Sequence, residues 1–316
     1  MRIGLIGTGR IGALHAATIA RLPTVTQLII TDMDRDRARQ IAGPIRATVA
    51  DTVDDLLAAG ADALVIASPT GTHPDLIRRG VAAGLPVFCE KPVATDPPGT
   101  RAVIEATAGS GVPVQIGFQR RFDTGYLAAR AAAVSGKLGW LHTIRSATLD
   151  PAPPPAGYIE GSGGIFRDCA VHDFDSIRWV TGREVTQVYA TGANQGEEFF
   201  TAAGDVDTSA AMLTLDGGTI ALVSCSRYNG AGYDVRLELL GSQDSAIVSP
   251  SGKFVQFLDR FRDAYIAELA TFTEVVAGKI PSPCTPDDAL EAFNIAEACE
   301  LSRQRNEPVA LEEVRR

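Results

Sequence analysis

The stretch Gly7-Thr8-Gly9-Arg10-Ile11-Gly12 decides the fold of this chain. It follows a short apolar run, Arg2–Ile6, typical of a strand, and it opens an amphipathic stretch, Ile11–Arg21, typical of a helix. Glycines at this spacing permit a tight turn, a close backbone approach to a pyrophosphate and close helix–strand packing. The N–H groups and the positive dipole end of the helix then favour phosphate. The residues predicted to contact a dinucleotide here are Gly7, Gly9, Arg10, Ile11 and Gly12.

An acidic residue supports the same interpretation. Asp32 lies at the end of the next predicted strand, Gln27–Thr31, and 20 residues after Gly12. A carboxylate in this position can accept hydrogen bonds from the adenosine ribose of NAD, and it repels the additional phosphate of NADP. Arg35 and Arg37 lie close enough to reach such a phosphate, so NADP stays an alternative. The sequence predicts NAD as the cofactor.

Length, charge and composition narrow the classes of protein that fit. At 316 residues the chain is long for one core, since chains beyond ~250–300 residues usually divide into domains. The formal net charge of -9 disfavours nucleic-acid binding, which needs a basic surface. No apolar stretch reaches ~18 residues and no targeting segment follows Met1, so we expect no membrane span. The five cysteines form no CxxC pair, so we expect neither a metal site nor disulfides, and we predict a cytoplasmic location.

The order of the predicted elements indicates an α/β protein with two domains. The first third alternates short apolar runs with amphipathic stretches, which is typical of βαβ units and a doubly wound parallel sheet of the Rossmann type. After about Phe122 a proline-rich loop, a helix over about 164–180 and several strands follow. Turns between the strands suit antiparallel hairpins in an α+β domain. The predicted domains are an NAD-binding domain over 1–121 and a substrate-binding and oligomerisation domain over 122–316.

Two further segments follow predicted buried strands, at the edge where doubly wound sheets bind their ligands. Cys89-Glu90-Lys91-Pro92 ends the strand 86–89, and Pro92 fixes the backbone after Lys91. We expect Lys91 where nicotinamide and substrate meet, although most lysines are solvated surface residues. The segment 68–73 leaves the strand 63–67 and could line the nicotinamide side, or it could serve only as a turn. The cofactor contacts predicted from these segments are Ser68, Thr70, His73, Glu90 and Lys91.

A candidate acid–base pair occurs in the second predicted domain. Asp168 and His172 are four residues apart in the predicted helix 164–180, so their side chains lie on the same face. A carboxylate beside an imidazole raises its basicity and fixes its orientation, which suits a general base near neutral pH. The spacing alone also fits an exposed helix pair or a hydrogen-bonded core histidine. Asp175 and Arg178, three residues apart, are interpreted as structural.

Together these motifs resemble the Gfo/Idh/MocA oxidoreductase family, and within it the inositol 2-dehydrogenases. The resemblance runs nearly end to end, and its most specific elements are Glu90-Lys91-Pro92 and the Asp168–His172 spacing. The other segments that carry it are 7–12, 117–123, 150–155, 162–168, 172–175 and 232–236.

The resemblance implies oxidation of a secondary hydroxyl of a cyclitol or sugar to a ketone, with Lys91, Asp168 and His172 as the catalytic set. His172 would take the hydroxyl proton, Asp168 would orient His172, and the Lys91 ammonium would stabilise the charge developing on the oxygen. The candidates to bind the remaining hydroxyls are Arg121, Asp123, Asp173 and Tyr233. The resemblance also implies a homo-oligomer, commonly a tetramer, built on the sheet of the second domain, and a C-terminal helix that packs back on the first domain.

One departure from the family pattern leaves the substrate open. Inositol dehydrogenases of this kind often have Arg before the Asp-Pro of the proline-rich loop, whereas this chain has Leu149. A dehydrogenase of a hexose or of an aminocyclitol intermediate therefore stays an alternative. So do a catalytically silent NAD-binding regulator and a lyase or hydrolase that oxidises and restores its NAD within each cycle.

Overall fold

A computed structural model describes residues 1–250 and 252–315 of the chain. The chain forms two compact units, and each is discontinuous in sequence. The first contains Met1–Phe118 and Tyr265–Leu290, and the second contains Gln119–Ala264 and the residues from Glu291 onwards. The first break between the units lies after Phe118, near the predicted boundary at residue 121, and the first unit also contains a segment near the C-terminus.

The first unit is built on a six-stranded sheet. Its strands are β1 (Arg2–Ile6), β2 (Gln27–Thr31), β3 (Thr48–Val49), β4 (Ala63–Ile66), β5 (Val87–Glu90) and β6 (Val114–Gly117). Their order in space is β3-β2-β1-β4-β5-β6, and every neighbouring pair is parallel. The predicted Rossmann-type sheet is thus confirmed. The strand order reverses between β1 and β4, and doubly wound sheets bind their ligands at such a reversal.

Five helices connect these strands. They are α1 (Arg10–Ile19), α2 (Arg35–Ile45), α3 (Val53–Ala58), α4 (His73–Ala82) and α5 (Pro97–Thr107). Asp34, Thr52 and Asp96 cap α2, α3 and α5, each accepting a backbone N–H of the first turn. By contrast, the residue before α1 is Gly9, which has no side chain to cap the helix. The first N–H groups of α1 are therefore available to bind a ligand.

The second unit contains a seven-stranded sheet. Its strands are β7 (Leu141–Leu149), β8 (Val185–Ala193), β9 (Thr208–Leu215), β10 (Ile220–Ser226), β11 (Asp234–Gly241), β12 (Ser245–Val248) and β13 (Val309–Ala310). Their order is β12-β11-β7-β10-β9-β8-β13. The expected hairpins β9/β10 and β11/β12 are antiparallel pairs. Strand β7 lies between β10 and β11, parallel to β10 and antiparallel to β11.

Seven further α-helices lie in the rest of the described residues. They are α6 (Thr124–Val134), α7 (Ala156–Ser162), α8 (Val171–Thr181), α9 (Glu198–Ala202), α10 (Phe257–Arg260), α11 (Arg262–Val276) and α12 (Pro286–Arg305). The single helix predicted over 164–180 is interrupted, since a π-helical turn, Phe166–Ala170, precedes α8. Asp168 lies in this wider turn and His172 in α8, so the two do not share one regular α-helix. Single π turns inside helices occur frequently at functional sites.

The first unit includes α11 because of the apolar face of that helix. Leu269, Phe272 and Val275 are buried in one core with residues of the parallel sheet, among them Leu5 and Phe88. Burial of large apolar side chains contributes roughly 1.5–3 kcal/mol each, which ties α11 to this unit. Within the ranges described, no helix combines the length and the apolar character needed to cross a membrane.

Candidate active site

The turn after β1 has the geometry of a pyrophosphate cradle. Gly7 has a φ of +96°, and a Cβ there would lie 2.6 Å from the backbone N of Ser68. A Cβ on Gly12 would lie 2.1 Å from the carbonyl oxygen of Gly7. These two glycines are therefore required by the packing of the protein itself. Gly9 is exposed, and a Cβ at that position would meet no atom within 4 Å, so a phosphate can approach its backbone and the uncapped start of α1.

Asp32 is fixed beside this turn by hydrogen bonds. Its Oδ2 accepts from the N–H and the hydroxyl of Thr8 at 2.6 and 2.7 Å, and its Oδ1 accepts from Asp34 N at 2.8 Å. Arg37 Nη2 donates to the same Oδ1 at 2.7 Å. Burial raises the pKa of Asp32, but the hydrogen bonds from Thr8, Asp34 and Arg37 outweigh it, so the pKa is lowered. The carboxylate is therefore negative at the point where the ribose of NAD would bind, and Arg37 pairs with it.

The segment after β4 is held mainly by protein contacts. His73 is buried, and its Nε2 and Nδ1 lie 2.8 Å from the carbonyl oxygens of Ser68 and Pro92, respectively. Both ring nitrogens are thus engaged with backbone, which favours a structural role over the predicted cofactor contact. The ring ties the chain after β4 to the chain after β5. Ser68 and Thr70 are half-buried at this edge, and the hydroxyl of Ser68 bonds that of Thr72 at 2.7 Å.

Glu90 and Lys91 lie at the end of β5. Lys91 is half-buried, and the peptide bond to Pro92 is cis. Glu90 Oε1 accepts from His15 Nε2 at 2.6 Å, and His15 lies fully buried on α1. Glu90 therefore joins the end of β5 to the helix that begins at the pyrophosphate turn. His15 was missed at the sequence level, because its partner is 75 residues away.

Asp168 lies in a polar cluster of the second unit. Tyr158 donates its phenolic hydroxyl to Asp168 Oδ1 at 2.9 Å, and Arg227 Nη2 donates to Asp168 Oδ2 at 2.8 Å. The other arm of Arg227 donates to Asp150 Oδ2 at 3.3 Å, and the thiol of Cys169 lies 3.6 Å from that oxygen. We call Asp150, Tyr158, Asp168 and Arg227 the Arg227 cluster. His172 lies in the first turn of α8, four residues after Asp168, and is half-buried.

The electrostatics of the Arg227 cluster favour a permanently charged guanidinium. Burial alone would lower the pKa of Arg227, but Cys169, Asp168 and Asp150 raise it above its ordinary value. Burial raises the pKa of Asp150, and Arg227 offsets only part of that shift. The Arg227 side chain is 3% exposed, so the pair works in a weakly screened environment. Arg227 holds Asp168 as an oriented carboxylate.

Three predicted substrate ligands have internal partners instead. Asp173 is fully buried and accepts from Arg120 at 3.0 Å, Ser146 at 2.5 Å and Thr148 at 2.7 Å. These bonds use the acceptor sites of the carboxylate and favour a structural role.

The other two, Arg121 and Asp123, are also paired inside the second unit. Arg121 Nε lies 3.0 Å from Asp175 Oδ2 and its Nη2 2.5 Å from Asp175 Oδ1, in a buried ion pair. Asp123 caps α6 and pairs with Arg260 at 2.6 Å. Both contacts favour structural roles. Arg178, expected to be structural, pairs with Glu184 at 2.7 Å.

Tyr233, the fourth predicted ligand, is nearly buried. Burial raises the pKa of Tyr233, and the charge of Asp150 raises it further against the opposing effect of Arg120, so the phenol stays protonated. A neutral phenol is a suitable hydrogen-bond partner for a hydroxyl group.

A Rossmann unit with an acidic residue beside its pyrophosphate turn, and with a lysine at the end of β5 in the same sheet, is typical of an oxidoreductase that uses a nicotinamide cofactor. Residues 1–118 match the model of the oxidoreductase family with an NAD-binding Rossmann fold, and residues 126–247 match that of the GFO/IDH/MocA C-terminal domain. The chain belongs to the Gfo/Idh/MocA oxidoreductase family.

Relatives with known names extend over the whole chain. The myo-inositol dehydrogenase Hyg17 of Streptomyces leeuwenhoekii is 38% identical over 96% of this chain and 97% of its own length. The myo-inositol 2-dehydrogenase of Thermotoga maritima is 34% identical over 99% of both chains. The crystal structure of scyllo-inositol dehydrogenase from Lactobacillus casei, with NAD(H) and scyllo-inositol bound, superposes with a TM-score of 0.90 at 29% identity over 99% of each chain.

Proposed function

We propose that this protein is an NAD-dependent dehydrogenase that oxidises a secondary hydroxyl of a cyclitol of the inositol type to a ketone. The observation that carries the proposal is the Arg227 cluster, in which a guanidinium and a phenol orient Asp168 on a π turn just before His172. The names of the full-length relatives support the same substrate class.

In the proposed mechanism each side chain has one task. His172 removes the proton of the reacting hydroxyl, and Asp168 orients the imidazole and stabilises its protonated form. Lys91 donates a hydrogen bond to the reacting oxygen. NAD, when bound along the turn after β1, supplies the hydride acceptor. Asp32 fixes the adenosine end by accepting from the ribose.

The other hydroxyls of a cyclitol need partners of their own, because each buried polar group left unmatched costs about 1–3 kcal/mol. We propose Asp150, Tyr158 and Tyr233 as these partners. They replace Arg121, Asp123 and Asp173, whose polar atoms are engaged within the second unit.

A single substitution tests the assignment of the base. We expect His172→Ala to lower kcat by at least ~10²-fold, since a positioned general base contributes that much or more. The affinity for NAD, followed by fluorescence titration, should stay within about twofold, because His172 lies outside the Rossmann unit. His142→Ala removes an exposed histidine on β7 and is the matched control. Near-normal turnover of the first variant would overturn the mechanism.

A substrate panel tests the reaction itself. Inositol isomers, hexoses and aminocyclitols are incubated with NAD or with NADP, and both reduced cofactor and sugar product are measured. We expect NADH and a cyclitol ketone. Product without net NADH would instead identify a lyase or hydrolase with internal redox cycling, and NAD binding without any product would identify a silent regulator.

We further propose a homotetramer that uses the outer face of the second unit's sheet. Met212 and Leu222 face each other across β9 and β10 and stay exposed, as does Ile220. They lie in or beside a shallow cavity of about 480 Å³ on this face. Apolar patches of this kind occur at protein interfaces. Light scattering should give a tetramer that Leu222→Glu dissociates, whereas Val134→Glu, on exposed α6, should leave the mass unchanged.

The cytoplasmic location is also a proposal. The five cysteines are buried thiols and none is in a disulfide, which suits a reducing compartment.

A further inference from the structure

A buried polar cluster lies inside the first unit, directly behind the end of β5. It contains His15 from α1, Glu90 from β5, Gln115 from β6 and Glu268 from α11. We call these four residues the Glu268 cluster. Aromatic rings surround it, since His15 packs edge-on against Phe88, with ring centroids 5.6 Å apart. The proposed mechanism gives Glu268 no task, yet it is one of the most completely buried acidic residues of the unit.

Glu268 has no partner for a negative charge. Its side chain is fully buried, and neither carboxyl oxygen has a hydrogen-bond partner in the part of the chain that the structure describes. Gln115 contacts only its backbone, with Nε2 3.4 Å from the carbonyl oxygen of Glu268. Ionised carboxylates are rarely buried without a partner, because the loss of hydration costs several kcal/mol. The group instead keeps its proton.

No cationic side chain donates to the carboxyl group of Glu268 in the part of the chain that the structure describes. Glu90 is an acceptor for His15, and the second nitrogen of His15 has no partner within the described residues. Cys89 is a buried thiol, and burial together with the charge of Glu90 raises its pKa, so it stays neutral. From α11 itself, the Tyr265 ring packs 5.9 Å from the His15 ring.

We propose that Glu268 is a neutral carboxylic acid in the folded protein and a positioning residue for Glu90. The two carboxyl groups then carry a single negative charge, located on Glu90, where it accepts from His15. A second charge on Glu268 would repel Glu90 and loosen the turn that carries Lys91. The consequence for catalysis rests on the proposed function, whereas the protonation of Glu268 does not.

The sign of the linkage gives a direct test. Burial raises the pKa of Glu268 well above its ordinary value of 4.5, and the charge of Glu90 raises it further. Above pH 4.5 the unfolded chain releases a proton that the folded protein retains. The free energy of unfolding should therefore fall as the pH rises from 4.5 towards the raised pKa of Glu268. Below pH 4.5 this fall should be absent.

The experiment measures the thermal unfolding of the protein without cofactor from about pH 5 to about pH 9. Glu268→Gln replaces the neutral acid by a neutral amide of the same shape. At the acid end we expect this variant to unfold near the unfolding temperature of the wild type. Towards the alkaline end it should unfold at a higher temperature than the wild type, and the difference should grow with pH. Glu274→Gln removes an exposed carboxylate from the same helix, and its curve should run parallel to that of the wild type. A parallel curve for Glu268→Gln would overturn the proposal.

A second measurement needs no variant. In the infrared spectrum of the wild-type protein at neutral pH, a protonated carboxyl group gives a carbonyl stretch that an ionised one lacks. Its presence supports the proposal and its absence overturns it, even where Glu268→Gln does not fold.

The positioning role has its own readout. NAD affinity of the wild type should decrease as the pH rises through the range where Glu268 ionises, whereas the NAD affinity of Glu268→Gln should not change over that range. If the wild type and Glu268→Gln showed the same pH dependence of NAD affinity, the positioning role of Glu268 would be refuted. Neither unfolding nor NAD binding requires a substrate, so a failure of the proposed reaction and a failure of this inference give different results.

Discussion

Two buried acidic clusters, one in each unit, are stabilised in opposite ways. In the Arg227 cluster, Asp150 and Asp168 share one guanidinium, which donates to both at 3.3 and 2.8 Å. In the Glu268 cluster, Glu90 has the imidazole of His15, and Glu268 has no cationic partner in the ranges described. Two half-buried carboxyl groups therefore pair with one guanidinium in the second unit. In the first unit, where Glu268 is fully buried, we propose that two carboxyl groups share a single charge.

The difference shows what decides the protonation of a buried carboxyl group. Desolvation acts on both clusters and favours the neutral acid. Only a guanidinium, which stays protonated at any ordinary pH and offers several donors in one plane, compensates two carboxylates at once. The Arg227 cluster thus keeps an oriented carboxylate for a reaction that moves protons, whereas we propose that Glu268 holds neighbouring groups in place.

Removing the guanidinium should have the largest effect. Arg227→Met leaves the half-buried Asp150 and Asp168 without their cation, and breaking even a fully buried pair in this way costs at most about 3–5 kcal/mol. We expect the second unit to lose up to that much stability, measured by urea unfolding at neutral pH. The matched control is Arg236→Met. Arg236 pairs with Asp234 but is 57% exposed, so its removal should cost less than about 1 kcal/mol.

Charge and geometry can then be separated. Arg227→Lys keeps one positive charge but not the fork that reaches both carboxylates, so we expect it to recover part of the stability. The double variant Arg227→Met/Asp168→Asn should also recover part of the lost stability, because it removes one of the two carboxylates that Arg227→Met leaves without a cation. If Arg227→Met were as stable as the Arg236 control, the Arg227 cluster would not be the charged counterpart of the Glu268 cluster.

The local parts of the fold could be predicted from the sequence. Strand β1, the turn at Gly7–Gly12 and Asp32 are determined by residues near each other along the chain, and the structure places them as expected. Strand β7 was missed, because its pattern, Leu-His-Thr-Ile-Arg-Ser-Ala-Thr-Leu, is only weakly apolar and its partners β10 and β11 lie more than 70 residues away.

In the candidate site, too, only the residues that lie in local motifs could be predicted from the sequence. Lys91, Asp168 and His172 follow from motifs, and their roles stay predictions. Arg227 had no local signal, because it joins Asp168 and Asp150 from a separate strand end. The partners of Asp173 also had no local signal, because Ser146 and Thr148 lie on β7 and are invisible in the segment of Asp173.

Asp32 is a third carboxylate for this comparison, and its substitution should have the smallest effect on stability. Its pKa is lowered, because the hydrogen bonds from Thr8, Asp34 and Arg37 outweigh the effect of burial. A lowered pKa contributes stability that is present above the unfolded value of 3.8 and is lost as the pH falls through the folded value. We expect Asp32→Asn to be less stable than the wild type by about 1 kcal/mol at neutral pH and equal to it in acid. Asp36→Asn, at a highly exposed carboxylate of α2, is the control. The Asp32 and Glu268 variants should thus differ from the wild type with opposite signs at neutral pH, since hydrogen bonds retain a charge in one case and burial suppresses it in the other. A shift of the same sign in both variants would contradict that distinction.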